Sequence, residues 1–343
     1  MKRNEAKIKR NKKGNKIWML GLALLAAAGL LTGCVGSGDT SAQEGETVRV
    51  GSLKGPTSMG LLFLMEKAEN GEAQNNYAFQ MAASADELLP LMVKDELDIA
   101  LVPANVASVL YQRTEGNVCV IDINTLGVLY VVSGDDSVES IADLKGRTIY
   151  LTGKGTTPDY ALQYLLNANQ MTTQDCVLEY KSEAAEVAAV LAENPDAIGL
   201  LPQPFVTSAC VQNPELDIVL DLNAEWDKVQ GEDGSSLVTG VTVVRKEFLE
   251  EQEEAVRSFL EEHSQSAAQI NEDVETGASF AVSQGIVAEE AIAQKAIPRC
   301  NITCITGEAM KQALSGYLEV LYGQSPESVG GALPGEDFYY MGQ

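Results

Sequence analysis

The stretch RTIYLTGKGTTPDYALQYLLNANQ, residues 147–170, decides the fold because it predicts a β-strand, a tight loop and an α-helix in immediate succession. Residues 148–151 are typical of a strand, and Pro158 is typical of the first turn of a helix. Between them lie two glycines that permit a sharp turn and two threonines that can cap the helix, namely Gly153, Gly155, Thr156 and Thr157. The loop is therefore expected to end at a helix N-terminus, whose backbone N–H groups attract hydrogen-bond acceptors.

A second loop of the same kind occurs earlier in the chain. A predicted strand over residues 47–52 is followed by Lys54, Gly55, Pro56, Thr57 and Ser58 and then by a helical pattern. Ligands of open α/β sheets bind beyond the carboxyl ends of strands. We therefore expect the two loops to face each other across a cleft between two lobes. The alternative is that each is an ordinary strand-to-helix turn.

Strands alternate with helices from Thr47 onward, which predicts parallel βαβ units and an α/β fold. A polar link over residues 137–146 separates two such series. The predicted strands are 47–52, 77–82, 98–102, 118–122, 128–132, 148–151, 176–180, 197–201, 217–220 and 237–244. Helices are predicted to dominate the last third, over 247–271, 274–283, 288–295 and 307–322.

The N-terminus has the pattern of an export signal. A basic segment precedes an apolar run over residues 17–31, which is short for a transmembrane helix and typical of a signal-peptide core. The run ends in LTGC, which resembles the lipobox of bacterial lipoproteins. That resemblance implies removal of residues 1–33, acylation of Cys34 with palmitate-type chains, and anchoring of the extracytoplasmic protein to the bacterial cell membrane. Residues 34–46 are rich in Gly, Ser, Thr and acidic residues and predict a flexible tether. The alternative is an uncleaved anchor helix.

The charge of the chain excludes some classes of partner. The sequence has 24 Lys and Arg against 49 Asp and Glu, a net charge of −25, and removal of residues 1–33 makes the charge more negative still. A nucleic-acid partner is therefore not expected. The long-range field also opposes an anionic ligand, so local groups would have to hold one.

The cysteines and the histidine give no sign of a metal site or of catalysis. Besides Cys34 there are five cysteines, Cys119, Cys176, Cys210, Cys300 and Cys304, and an odd number leaves at least one unpaired in a monomer. Cys300 and Cys304 are near enough in sequence to form a disulfide, a question that the sequence leaves open. His263 is the only histidine and lies in a polar helical stretch. We therefore predict neither a metal site, nor a cofactor, nor an enzyme.

Taken together, the motifs resemble the solute-binding proteins of ABC importers, and among them the nitrate, sulfonate, taurine and thiamine-precursor group. The resemblance rests on the following segments: 31–34, 48–53, 97–103 (LDIALVP), 141–149 (IADLKGRTI) and 326–340 (PESVGGALPGEDFYY). It implies the type II periplasmic-binding fold, an α/β fold of two lobes, each a mainly parallel sheet flanked by helices, with an extra helical C-terminal portion. The implied first lobe covers 47–130 and 240–343, and the implied second lobe covers 131–239.

The resemblance also implies which residues bind the ligand, because the contacts of this group come from strand-to-helix loops. The candidate ligand-binding residues are Lys54, Gly55, Pro56, Thr57, Ser58, Asn105, Thr152, Lys154, Gly155, Thr156, Thr157, Gln203 and Thr239. No arginine lies in these loops to bind an oxyanion through two hydrogen bonds.

The implied function is that of a lipid-anchored monomer that captures a small polar or anionic organic solute and delivers it to an ABC permease with its ATPase. The solute would be a sulfonate, nitrate or a thiamine-precursor-like compound. Two alternatives remain open: a surface lipoprotein that acts as a sensor or adhesion partner, and an enzyme on the same fold.

Overall fold

The structure is a computed structural model that describes residues 47–231 and 234–342. The predicted signal peptide (1–33), the tether (34–46) and the acylation site Cys34 lie outside the described residues.

The described residues form eleven strands and thirteen α-helices. The strands are β1 (Val48–Leu53), β2 (Tyr77–Ala82), β3 (Ile99–Pro103), β4 (Val118–Leu126), β5 (Leu129–Ser133), β6 (Thr148–Thr152), β7 (Val177–Lys181), β8 (Ile198–Pro202), β9 (Asp217–Asp221), β10 (Val238–Arg245) and β11 (Ile302–Ile305). The helices are α1 (Pro56–Met59), α2 (Leu62–Glu69), α3 (Ala85–Val93), α4 (Ala104–Arg113), α5 (Thr157–Ala168), α6 (Ala184–Glu193), α7 (Phe205–Gln212), α8 (Leu222–Gln230), α9 (Lys246–Glu251), α10 (Glu253–Glu272), α11 (Val274–Ser283), α12 (Glu290–Ala296) and α13 (Gly307–Gln324).

The strands divide into two sheets, each the centre of one lobe. Within the described residues, the first sheet has the order β11-β4-β10-β3-β1-β2 and the second has the order β7-β6-β8-β5-β9. β1 pairs in parallel with β2 and β3, and β6 pairs in parallel with β7 and β8. The two-lobed α/β fold class is therefore confirmed.

Most strands of each sheet run in one direction, as expected of mainly parallel sheets, and the exceptions are β10 and β11 in the first sheet and β5 in the second. β10 runs antiparallel to both β3 and β4, and β5 runs antiparallel to both β8 and β9. The antiparallel direction of β5 and β10 follows from the path of the chain. The chain reaches each of these strands directly from the other lobe, and not through a helix that packs on the same sheet. Strand-helix alternation predicts only the pairs that such a helix connects.

A short segment around Gly127 connects the first lobe to the second, and side chains that are distant in sequence hold it in place. Gly127 N donates a hydrogen bond to the Asn223 side chain at 3.2 Å, and Asn301 donates to the Gly127 carbonyl. A Cβ on Gly127 would lie 2.8 Å from the Cβ of Asn223, so a larger residue would displace this contact. The return crossing leads from α8 to β10.

A continuous apolar cluster connects the lobes. It includes Val102 of β3, Leu162 of α5, Trp226 of α8 and Tyr317 of α13. The Trp226 ring lies between those of Tyr164 and Tyr317, with centroid distances of 4.4 and 5.7 Å. Two smaller clusters cover the remaining faces of the two sheets. Of the helices that the structure describes, none combines the length and the apolar character needed to cross a membrane.

Candidate functional site

A cavity of about 340 Å³ lies between the two lobes, at the carboxyl ends of β3 and β8. We call it the interlobe cleft and define it by the residues that line it. The first lobe contributes Pro103, Asn105, Val106 and Thr239, and the second contributes Leu129, Thr156, Thr157, Pro158 and Pro202, with Val128 on the crossing segment. Strand ends of two sheets therefore enclose one space, which is the usual place for a ligand in open α/β folds.

The loop before α5 presents two threonines to the cleft. Gly153 and Gly155 have φ values of +70° and +73°, so the left-handed conformation expected of these glycines is present. A Cβ on Gly153 would lie 2.3 Å from the Thr156 hydroxyl oxygen, which requires glycine at that position. Thr156 occupies the N-cap position, but its hydroxyl donates to the Gly153 carbonyl at 2.6 Å. The hydroxyl thus stabilises the turn and is not used to cap the helix.

A buried carboxylate occupies the N-terminal turn of α5. Asp159 is 3% exposed and accepts hydrogen bonds from Gly155 N at 2.7 Å and from the Tyr180 hydroxyl at 2.7 Å. Burial and then this hydrogen bond to Asp159 raise the pKa of Tyr180, so its hydroxyl remains a donor at neutral pH. The negative charge of Asp159 offsets the attraction of the helix N-terminus for anions.

Asn105 and Thr239 supply the polar groups of the first lobe. The Asn105 side-chain amide donates to the Ser328 carbonyl at 3.3 Å, which fixes its orientation at the start of α4. The Thr239 hydroxyl oxygen is buried and has no hydrogen-bond partner within the described ranges. Because an unpaired buried hydroxyl costs free energy, a ligand that bonds to it would relieve this cost.

The loop that follows β1 does not line the interlobe cleft. Lys54 is exposed, and its ammonium group lies 3.9 Å from the position that a Cβ on Gly285 would take. The Thr57 hydroxyl donates to the Leu53 carbonyl, and the Ser58 hydroxyl donates to Ser52 at 2.7 Å. These hydroxyls therefore hold the loop itself together. Gly55 has a φ of +138° at the N-cap of α1, and Pro56 begins that helix.

Four further candidates from the second lobe also lie outside the cleft lining. The Lys154 ammonium stands 5.3 Å from the centroid of the Tyr180 ring, Thr152 ends β6, and the N–H of Gly155 is bonded to Asp159. Gln203 is buried next to Pro202, where its carbonyl oxygen accepts from Thr207 at 2.8 Å. Its amide nitrogen has no partner among the described residues.

The structure thus brings together four of the candidates, Asn105, Thr156, Thr157 and Thr239. It adds an apolar majority that is not among the candidate ligand-binding residues, formed by Pro103, Val106, Val128, Leu129, Pro158 and Pro202. Their common signal was position, because each stands near the start of a helix or, for Val128 and Leu129, at the start of the strand β5. No residue of the cleft lining carries a charge.

Comparisons with known proteins bear on this arrangement. Residues 118–275 match the family model described as NMT1/THI5 like. Among curated proteins, none matches the sequence.

Solved structures match over most of the chain. A structure of an ABC transporter protein from Parabacteroides distasonis is 24% identical, covers 87% of this chain and 99% of its own, and gives a TM-score of 0.73. The periplasmic aliphatic sulphonate binding protein SsuA from Escherichia coli is 13% identical, with 84% and 91% covered and a TM-score of 0.68. The alkanesulfonate-binding protein SsuA from Xanthomonas axonopodis pv. citri bound to MOPS is 14% identical, with 82% and 94% covered and a TM-score of 0.60. The chain therefore has the fold of the periplasmic binding proteins of ABC transporters, and its central part matches the NMT1/THI5-like family, in agreement with the resemblance found in the sequence.

Proposed function

We propose that this protein is the solute-binding component of an ABC importer, tethered outside the cytoplasm by acylated Cys34. It captures a small organic solute in the interlobe cleft and delivers it to a permease that works with an ATPase. The observation that carries the proposal is the shared lining of the cleft, in which Asn105 and Thr239 of one lobe face the same space as Thr156 and Thr157 of the other.

Because both lobes line the interlobe cleft, binding of a solute would be coupled to closure of the lobes. A solute held by one lobe alone makes only half of its contacts, and both halves are satisfied only when the lobes are together. Binding therefore favours the closed arrangement through its differential contacts with the two states. For this mechanism we propose lobe boundaries one or two residues before the expected 130/131 and 239/240, at the starts of β5 (Leu129) and β10 (Val238), and a monomeric protein.

The cleft favours an uncharged solute with an apolar body and one or two hydrogen-bonding groups. Its volume of about 340 Å³ suits a small ring or a short chain. Apolar side chains form most of the wall, and hydroxyl and amide groups supply the polar contacts. Lys54 and Lys154 stand elsewhere, and Asp159 opposes an anion at the start of α5. Of the solutes that the sequence suggested, a thiamine-precursor-like compound therefore fits better than nitrate or a sulfonate.

Catalysis is not part of the proposal. The three similar solved structures named above bear the names of transporter or binding proteins. The cleft lining contains threonines, an asparagine and apolar residues, none of which is a general base at neutral pH.

The test is a binding survey of the full-length lipoprotein in detergent, by thermal shift and then calorimetry. The panel contains substituted pyrimidines and thiazoles, short alkanesulfonates, taurine and nitrate. We expect saturable one-to-one binding of a heteroaromatic solute and none of nitrate. A protein that binds no member of the panel, or one whose binding does not change with Thr157→Ala, would contradict the proposal.

A further inference from the structure

Three potential metal ligands converge in the first lobe, away from the interlobe cleft. They are Asp122 of β4, His263 of α10 and Cys304 of β11, and their ligand atoms all lie within 4.8 Å of one another. His263 Nδ1 is 3.3 Å from Asp122 Oδ2, and both side chains are fully buried. The only histidine of the sequence thus lies next to a carboxylate and a thiol from two other elements.

The local backbone gives Cys304 its position. β11 pairs with β4 at Ile302↔Thr125 and at Ile305↔Ile123, so three steps on β11 correspond to two on β4. The bulge lies between Ile302 and Ile305, the segment that contains Cys304, and bulges commonly redirect a side chain beside a functional site. A regular strand would change the side of the sheet on which the thiol lies.

Asp122 is held in a fixed orientation by a second layer of hydrogen bonds. Thr242 donates to Asp122 Oδ1 at 2.9 Å, and Asn124 in turn donates to the Thr242 hydroxyl at 3.2 Å. The other carboxylate oxygen, Oδ2, is the one that faces His263. Partners of this kind orient the ligands of natural metal sites.

A cavity at the surface reaches one member of this cluster, Cys304. It has a volume of about 350 Å³, and Cys304 belongs to its lining together with Glu261, Ser264 and Tyr340. An ion could therefore reach the thiol from solvent, and a water molecule in the cavity could complete its coordination.

The alternative is that His263 and Asp122 form a structural ion pair and that Cys304 is adjacent by chance. One observation disfavours it. His263 Nε2 is buried without a hydrogen-bond partner in the part of the chain that the structure describes. It lies beside Gly60, 3.2 Å from the position that a Cβ on this glycine would take. A structural pair would be expected to satisfy both ring nitrogens.

We propose that Asp122, His263 and Cys304 bind a divalent transition-metal ion, with one coordination position open to the cavity. The ligand set of one oxygen, one nitrogen and one sulfur suits zinc and disfavours calcium and magnesium, which prefer oxygen. The ion would link β4, α10 and β11 and thereby stabilise the first lobe. It would not contact the solute.

Cobalt(II) titration of the full-length lipoprotein, purified without a polyhistidine tag, tests the proposal. A thiolate bound to cobalt gives a charge-transfer absorption in the near ultraviolet, and tetrahedral cobalt absorbs in the visible region. We expect both bands, their loss on addition of one equivalent of zinc, and a higher melting temperature with either metal.

Cys304→Ser should abolish the charge-transfer band and weaken zinc binding at least tenfold. Cys210→Ser is the matched control, because Cys210 is another half-buried free thiol far from Asp122, and it should behave as the unmodified protein. Asp122→Asn, which keeps the shape of the side chain, provides a second variant if Cys304→Ser does not fold. Cobalt spectra without a thiolate band, or equal binding by the Cys304 and Cys210 variants, would overturn the proposal and leave the proposed solute binding untouched.

Discussion

Asn105 and Thr157 belong to opposite lobes and line one cavity of about 340 Å³. Asn105 stands in the first turn of the helix that follows β3, and Thr157 begins the helix that follows β6. Each lobe therefore presents a helix start to the same space. A molecule placed there would contact both lobes.

Two threonines of β10 are expected to respond in opposite ways to replacement by valine. The Thr239 hydroxyl is buried without a partner, so Thr239→Val should raise the free energy of unfolding of the ligand-free protein by about 1 kcal/mol. The Thr242 hydroxyl donates to Asp122, so Thr242→Val should lower it by about 1–3 kcal/mol. Urea unfolding of both variants measures the difference. Equal destabilisation by the two would mean that the Thr239 hydroxyl has a partner in the free protein.

The two glycines and two lysines of the predicted ligand loops show what a sequence can and cannot predict about the site. The turn around Gly153 and Gly155 was predicted correctly, because a positive φ is a local property that glycine signals directly. The direction in which Lys54 and Lys154 point was not predictable. It depends on neighbours that are distant in sequence, such as the Tyr180 ring beside Lys154.

The same limit applies to the fold. Strand positions such as 77–82 follow from local composition and agree with β2. The short β11 and the helix α8 were not predicted, since β11 gains its pairing only from β4, and α8 is capped by the Asp221 side chain in a polar stretch. His263 was interpreted as part of a polar helix, whereas its side chain is fully buried against Asp122. Burial of one residue on a polar helix is a tertiary property.

Trp226 is predicted to be a main contributor to the contact between the lobes. It is fully buried between Tyr164 and Tyr317, and its indole N–H donates to the Ser235 carbonyl at 2.9 Å. Trp226→Ala should lower the free energy of unfolding by about 3–5 kcal/mol. Phe205→Ala removes an aromatic ring that is 43% exposed and should cost much less. Urea unfolding distinguishes the two, and similar losses would show that the Trp226 contacts add little.

Acid should destabilise the first lobe through Asp98. Burial by itself would raise the pKa of Asp98, but hydrogen bonds from Arg49 and Arg245 outweigh it and hold the pKa below its usual value. Because the folded pKa is lower than the unfolded one, the stabilisation is complete above about pH 4 and is lost as the pH falls through the folded value.

Asp98→Asn tests this ion pair. It leaves the Arg245 guanidinium, 9% exposed, without its buried partner, and should cost about 3–5 kcal/mol at pH 7. The variant should also lose less stability than the unmodified protein between pH 5 and pH 3, as measured by urea unfolding at each pH. An unchanged pH dependence would show that Asp98 does not govern the acid response.

Cys34 is predicted to carry the membrane anchor. Cys34→Ser should prevent incorporation of labelled palmitate and leave the signal uncleaved by the lipoprotein route. Metabolic labelling followed by mass spectrometry of the N-terminal peptide measures both effects. Cys119→Ser, a change at a buried cysteine in β4, is the control and should leave acylation intact. Labelled palmitate on the Cys34→Ser protein would refute the lipobox interpretation.

The central claim is that the interlobe cleft binds a small organic solute, and calorimetric titration with the best solute of the panel tests it most directly. We expect one site per chain, and binding about five- to tenfold weaker for both Asn105→Ala and Thr157→Ala, since each removes a polar group worth roughly 1–1.5 kcal/mol. Thr276→Ala, a change on α11 outside the cleft, should bind as the unmodified protein does. Equal affinities for all four proteins, or no binding of any solute, would contradict the account.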